Sequence, residues 1–351
     1  MIRFFHKHNS SISLYLFLCS SVVMHYRNVL LFAFTSSAIS FPSVYDISSR
    51  IRGVFHRRDN SCPDTWNKVS GELITMFLTN GQCNDDARAA IRLNFHECGS
   101  WETKLGATGG CDGSIILAGE LDRPENKGLT DIAHKVQNLA NKYGTGIGGQ
   151  CSSCSLHFLE IDTSPDMIVF AGSHATVTCP GGPVVKTWIG RKDSSVPAPD
   201  GLLPDVQASA DTLFTLFQNK GFSDVDLAAL LGAHSVSKQF FVDQSRAGQP
   251  QDSTPGVWDV KYYSETTSPV AGDFVFLSDA KLAAHAVVGK QFKGFVNNQG
   301  KWNGKYADAM GRMNLFGVAS TNGMVDCTSA LPKSTNIKRE MRAMPVYGRT
   351  A

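Results

Sequence analysis

Apolar residues recur at helical spacing along most of the chain, and strand-like alternation is short and scarce. Trp66, Val69, Leu73 and Phe77 fall on one face and predict an amphipathic helix that Gly81 stops. Asp85 to His96 predicts a second helix, with acidic residues in its first turn, where the helix dipole favours them. Thr130 to Tyr143 predicts a third. Ser164-Pro165-Asp166 is a start signal, Ser as cap and Pro at the first position, for a helix running to about Thr178. Asp205 to Asn219 reads as helix. Ser223-Asp-Val-Asp226 resembles a capping box and opens an apolar helix leading to His234. Ser278 to Val296 and Lys301 to Phe316 predict two more. Gly144 to Cys154 and the three-proline stretch Gly190 to Pro204 read as connections. The pattern predicts a mainly α fold without internal repeats.

Composition supports a packed core: 42% of residues are hydrophobic and 18% charged. The formal charge of +2 hides an asymmetry. Residues 1–58 hold seven basic residues and one acidic; the remainder holds 26 and 30, a net of −4. Such a body excludes nucleic acid as an expected partner. The first 58 residues read as signal peptide and propeptide, with Met24 as a candidate true start, cleavage near Ala38-Ile39-Ser40 and a dibasic site at Arg57-Arg58. A signal anchor is the other reading of this leader. Neither apolar run there reaches the ~20 residues of a membrane span. A secreted protein is expected, with residues 59–335 as its domain and 336–351 as a tail. Beyond Cys19 in the leader there are eight cysteines, an even number that argues for disulfides. Spacing alone leaves their connectivity open. A zinc site at Cys151-Ser-Ser-Cys154 is disfavoured, because no second pair or His cluster has suitable spacing.

Two stretches carry candidate chemistry. Ala87 to Cys98 places Arg92 and His96 four apart, on one helix face. Leu227 to Lys238 is an apolar run ending on His234. Two such helices can hold a planar metal cofactor between them, with one His as axial ligand and the other His and the Arg at the open position.

The surrounding residues sharpen this. Arg92-Leu-Asn-Phe95-His96-Glu-Cys resembles the distal motif of the plant-type haem peroxidases, and Leu230-Leu-Gly-Ala-His234-Ser-Val their proximal motif. Gly110-Cys-Asp112-Gly-Ser114 and Asp252-Ser-Thr254-Pro-Gly-Val257-Trp-Asp259 resemble the family's two calcium loops. The resemblance is closest to the secreted fungal branch and spans about Cys62 to Pro332. It implies two helical lobes sandwiching haem b, two calcium ions, hydrogen peroxide as oxidant and small aromatic reductants as donors. A secreted monomer with no membrane association after processing is expected.

The resemblance also assigns residues. His234 would ligate iron, with Asp279 on its second nitrogen. His96 would be the acid–base group, Arg92 the charge stabiliser and Asn126 the acceptor from His96, held in turn by Glu120. Phe95 would wall the distal pocket. Lys238, one turn after His234, is placed to reach a haem propionate. The distal calcium set would be Glu97, Gly110, Asp112 and Ser114, with Glu97 standing where the family has Asp. The proximal set would be Ser235, Asp252, Thr254, Val257 and Asp259. The implied disulfides are Cys83–Cys179, Cys98–Cys111 and Cys62–Cys327, leaving Cys151 with Cys154. Gln251 stands where the fungal branch places an aromatic.

Donor class rests on further positions. By motif alignment the manganese-binding acids of fungal relatives fall on Asp85, Ala89 and Phe240, and their surface relay tryptophan on Ala229. The expectation is a generic, low-potential, manganese-independent peroxidase. Trp188, Trp258, Trp302 or Tyr263 is the alternative, as a different surface relay. A non-catalytic haem- or calcium-binding protein is a further reading. It is disfavoured because Arg92, His96 and Asn126 are not needed merely to bind haem. Thiolate-ligated haem is disfavoured by the even cysteine count.

Overall fold

The computed structural model describes residues 61–144 and 164–335. The leader, the Arg57-Arg58 site, Cys151, Cys154 and the tail lie outside the described residues. Eleven α-helices are present among those described: α1 (Asp64–Phe77), α2 (Asp85–Gly99), α3 (Ser114–Leu117), α4 (Thr130–Tyr143), α5 (Ser164–Thr178), α6 (Ala210–Asn219), α7 (Asp224–Leu231), α8 (Lys261–Glu265), α9 (Leu277–Ala284), α10 (Val288–Lys293) and α11 (Gln299–Met313). Sheet is confined to two antiparallel pairs of two-residue strands. The fold is mainly α. None of these helices is long and apolar enough to cross a membrane.

The helix starts follow local chemistry. Asn84 caps α2 by accepting from the amides of Asp86 and Ala87. Ser223 and Asp226 form both arms of a capping box at α7. The α1 face of Trp66, Val69, Leu73 and Phe77 is buried as its period requires. Every residue of α5 is buried, so this helix forms the centre on which α2, α4 and α1 pack. Gly172 makes the closest approach possible: a Cβ there would lie 2.4 Å from Cβ of Asn94 on α2.

Four boundaries differ from the periodicity. Residues 205–208 form a turn, because Ser209 caps the helix by accepting from the Thr212 amide. Ser278 to Val296 is two helices, not one. His285 is extended between them, its Nδ1 accepting from the Val288 amide and so opening α10. The α7 helix ends at Leu231, and His234 sits on a 3-10 turn, Gly232–Val236. Gly81 lies in the β-turn after α1 rather than at the end of the helix itself.

α7 packs on α11 and α10, whereas α2 packs on α5, α4 and α1, and neither α2 nor α7 packs extensively on the other. This gives two helical groups, one containing α2 and the other α7. Disulfides Cys62–Cys327, Cys83–Cys179 and Cys98–Cys111 tie the fold, as the resemblance implied. The Gly190–Pro204 loop has almost no regular structure. It is locked at its start by a fully buried pair, Arg191 Nη1 to Asp166 Oδ1 at 2.8 Å, with Asp166 also accepting from the Gly190 and Arg191 amides. The Arg191 guanidinium also donates to the Trp188 and Asn314 carbonyls, while its buried Nε has no partner.

Candidate active site

The α2 helix delivers Arg92, Phe95 and His96. His96 Nδ1 lies 2.8 Å from Asn126 Oδ1, and Asn126 Nδ2 donates to the Glu120 carbonyl at 2.8 Å. The second bond orients the amide, so Oδ1 must accept and Nδ1 must carry the proton. Nε2 is left as the basic nitrogen. The Glu120 carboxylate is engaged elsewhere, with the Ala198 amide at 2.7 Å and Arg123 at 3.1 Å. Glu120 therefore holds Asn126 through its backbone oxygen, not through its acid. Burial, with the nearby Arg92 charge, lowers His96 to about 3, so the imidazole is neutral across the ordinary pH range. Arg92 donates to the carbonyls of Lys127 and Glu125 at 2.9 and 2.7 Å; burial lowers it to about 10, leaving it cationic. The Phe95 ring stands edge-on to His96 at 5.8 Å and stacks on Phe217.

The other imidazole is arranged in the same way. His234 Nδ1 lies 2.7 Å from Asp279 Oδ2, and 34% of its side-chain surface remains open. Burial opposes a charge on His234, but the Asp279 carboxylate outweighs it and raises the pKa. Asp279 is itself held by Ser278 Oγ at 3.2 Å and by the Tyr262 hydroxyl at 2.8 Å. Two aromatics wall the imidazole: Phe276 at 5.4 Å and Tyr262 at 5.9 Å. Sequence reasoning missed both. Phe276 lies only three residues before Asp279, which was a usable signal; Tyr262 is 17 residues away and gave none.

This donor set fits haem. Each imidazole commits Nδ1 to an acceptor and leaves Nε2 without a partner among the described residues, one beside a cation and one beside a carboxylate. A carboxylate-oriented imidazole is the arrangement that supports an iron ligand.

Lys238 is half-buried and pairs with a carboxylate of α2. Its ammonium lies 3.3 Å from Asp85, which also pairs with Arg88 at 2.6 Å. The start of α2 thus recruits the segment after His234. Arg88 extends this clamp to the Pro255 carbonyl at 2.8 Å. Gln251 is buried, accepts from Ser237 Oγ and leaves Nε2 unpartnered.

The two loops that resemble calcium sites differ. In the proximal loop, Asp252, Thr254 and Asp259 form one cluster: Asp252 Oδ1 accepts from the Thr254 amide, and Thr254 Oγ1 donates to Asp259 Oδ2 at 2.8 Å. The Val257 amide closes a turn onto the Thr254 carbonyl. Ser235 Oγ and Asp252 Oδ2 are buried without partners, and burial raises Asp252 to about 8. Orphaned buried oxygens beside a second carboxylate fit a hard cation. In the distal loop, Glu97 reaches past that role. One oxygen accepts from the Gly113 amide and the other from the Ile115 amide at 3.1 Å, capping α3. Burial and the nearby Asp112 raise Glu97 to about 8. Gly110, Asp112 and Ser114 lie on the same turn, with Asp112 Oδ1 accepting from the Ser114 amide. Among the described residues no group of three or more His, Cys, Asp or Glu side chains is placed to hold a metal. Any cation here depends on hydroxyl and carbonyl oxygens as well.

Lys220 is a further residue the sequence did not disclose. Its buried ammonium donates to the carbonyls of Gly99, Trp101 and Leu202 at 2.8, 2.8 and 2.6 Å. It joins the end of α2 to the proline-rich loop, where a cation also complements the helix dipole.

Known proteins show the same pattern. The family model described as peroxidase matches residues 69–298. Ligninase LG5 of Phanerodontia chrysosporium is 29% identical over 294 residues, 77% of this chain and 74% of the relative. Manganese peroxidase 3 of Phlebia radiata is 28% identical, covering 77% and 80%. A low-redox potential peroxidase of Taiwanofungus camphoratus is 29% identical, covering 82% of each.

Proposed function

The chain belongs to the peroxidase family, a haem enzyme acting on hydrogen peroxide, and on that premise we propose that it oxidises small phenols and aromatic amines without manganese. The observation carrying the catalytic assignment is the pair of oriented imidazoles, His96 on Asn126 and His234 on Asp279. His234 would hold the haem, which would supply the redox chemistry that couples peroxide reduction to one-electron oxidation of donors. His96 Nε2 removes a proton from the proximal oxygen of peroxide and returns it to the departing one. Arg92, which donates to the Lys127 and Glu125 carbonyls, supplies positive charge that balances the negative charge developing there. Asp279 keeps the His234 ring oriented and electron-rich. Ser235, Asp252, Thr254, Val257 and Asp259 would hold a calcium ion, which would fix the residue next to His234.

Manganese independence draws support from the first turn of α2. Asp85 is already paired with Arg88 and Lys238, Ala89 carries no ligand and Phe240 is exposed and apolar. One carboxylate neutralised by two cations is a poor divalent site. Aromatic donors are supported by the exposed Phe240, Phe241 and Val242. The tip of the Phe241 ring and the Arg92 guanidinium both lie against Gly128, so this apolar rim adjoins the distal residues. The surface-relay alternative loses ground: Trp258, Trp302 and Tyr263 are buried, and Ala229 lies in the core. Trp188 alone of that group is half-buried, under Lys186. Disulfides and the leader support secretion.

The test is steady-state turnover of a simple phenol, Mn(II) and a non-phenolic aromatic alcohol side by side. Efficient phenol oxidation with negligible use of the other two is expected. Saturable Mn(II) turnover would overturn the donor assignment.

A further inference from the structure

Five oxidisable side chains run from the His234 imidazole into the core as one unbroken series. Tyr262 stands edge-on to His234 with ring centres 5.9 Å apart, and Tyr263 follows at 5.3 Å. Tyr263 meets Trp302 at 5.6 Å, Trp302 stacks on Trp258 at 4.8 Å with planes 4° apart, and Trp258 meets Tyr306 at 4.6 Å. Such spacings are ordinary ring contacts.

A hydrophobic core needs rings here, but it does not need hydroxyls or indole N–H groups, each of which must find a buried partner. The partners are specific. Tyr263 donates to the Ala228 carbonyl at 3.0 Å, Trp302 to the Ala229 carbonyl at 2.9 Å and Trp258 to Asn303 at 3.1 Å. Gly232, two residues before His234, makes room: a Cβ there would lie 2.3 Å from the Trp302 nitrogen and 2.4 Å from the Tyr263 oxygen. Tyr262 differs from the other four. Its hydroxyl donates to a carboxylate, and the accepting atom, Asp279 Oδ2, is the atom that faces His234. Only at Tyr262 does a strong proton acceptor stand ready to receive the phenolic proton.

We propose that Tyr262 is a redox-active residue, oxidised by one electron after peroxide has been consumed in the absence of an external donor. This rests on His234 as the iron ligand. The Tyr262 O–H bond breaks. Its electron passes toward the His234 side, replacing one that hydrogen peroxide has withdrawn, and its proton passes to Asp279 Oδ2. A neutral tyrosyl radical and a protonated carboxyl result. When a phenolic donor arrives, its electron and the Asp279 proton restore Tyr262, and the donor leaves as a radical with its own proton released. Tyr262 is buried, so it stores an oxidising equivalent rather than presenting it to bulky substrates.

The test uses the haem-loaded full chain mixed with hydrogen peroxide, without donor, and frozen within the first turnover. Optical spectra and electron paramagnetic resonance are read on the same samples. Wild type is expected to give an organic radical whose signal narrows when the protein carries ring-deuterated tyrosine. Tyr262→Phe is expected to lose that tyrosyl signal and to inactivate sooner in excess peroxide, while Tyr263→Phe keeps the signal. The isotope arm needs no substitution, so the proposal stays exposed if a variant does not fold. An optical response to peroxide with no protein radical, a radical indifferent to tyrosine deuteration, or an undiminished tyrosyl signal in Tyr262→Phe would overturn it. No optical response at all would overturn the haem assignment itself, and the inference with it.

Discussion

Asn126 sets the chemistry of His96: its Oδ1 lies 2.8 Å from His96 Nδ1, and it can only accept because its Nδ2 is spent on the Glu120 carbonyl. Asn126→Val removes the acceptor and frees the ring and its tautomer. The rate of reaction with peroxide is expected to fall about 10–100-fold, the usual effect of losing such a supporting partner, with haem retained. Stopped-flow mixing with peroxide checks this. A rate equal to wild type would show that Asn126 does not govern His96.

The pH dependence follows from the same residue. His96 is lowered to about 3 by burial and Arg92. The base is lost only when the ring protonates, so the rate constant should stay level through pH 6.5 and decline as pH falls toward 3. A decline centred near 6.5, the ordinary imidazole value, would place the working base elsewhere.

Calcium should act through Asp252. In the metal-free protein burial raises its carboxyl to about 8, above its unfolded value. The folded state then binds the extra proton, and that contribution to stability is lost as pH rises from about 4 through about 8. A bound cation lowers the folded pKa and abolishes the loss. The rise in Tm on adding calcium is therefore expected to be larger at pH 8 than at pH 5. Asp252→Asn should shrink it at both. An equal or larger rise at pH 5 would remove the proximal loop as the site.

Lys220 should matter for stability more than its ordinary sequence context suggests. Lys220→Met strands three carbonyls in a buried junction, a loss of at least about 2 kcal/mol for unpaired acceptors. Urea unfolding checks this; a change under about 0.5 kcal/mol, the usual range for a surface site, would mean the three contacts contribute nothing.

Local and tertiary information were legible to different degrees. The residues at α1, α4 and α5 announced their helices because amphipathic period, caps and proline position all act within a few residues. Ser209 and His285 broke expected helices because a single side chain redirected the backbone, which a periodic pattern cannot register. Arg92, His96, Asn126, His234 and Asp279 were found through motif resemblance, and the structure brings each His to its expected partner. Lys220 and Tyr262 were missed because their partners, Gly99 and Asp279, are distant in sequence. Glu97 illustrates reach: one extra methylene carries its oxygens onto the α3 amides, which residue type alone does not reveal.

The central claim is that His234 holds the iron and His96 works at the opposite position. The direct measurement is the optical spectrum of purified wild type, His234→Ala and His96→Ala, before and after one equivalent of hydrogen peroxide. Wild type should show ferric haem that changes within the mixing experiment. His234→Ala should lose haem or change its ligation. His96→Ala should keep haem but respond at least ~10²-fold more slowly. An unaltered spectrum in His234→Ala, or an undiminished peroxide response in His96→Ala, would contradict the account.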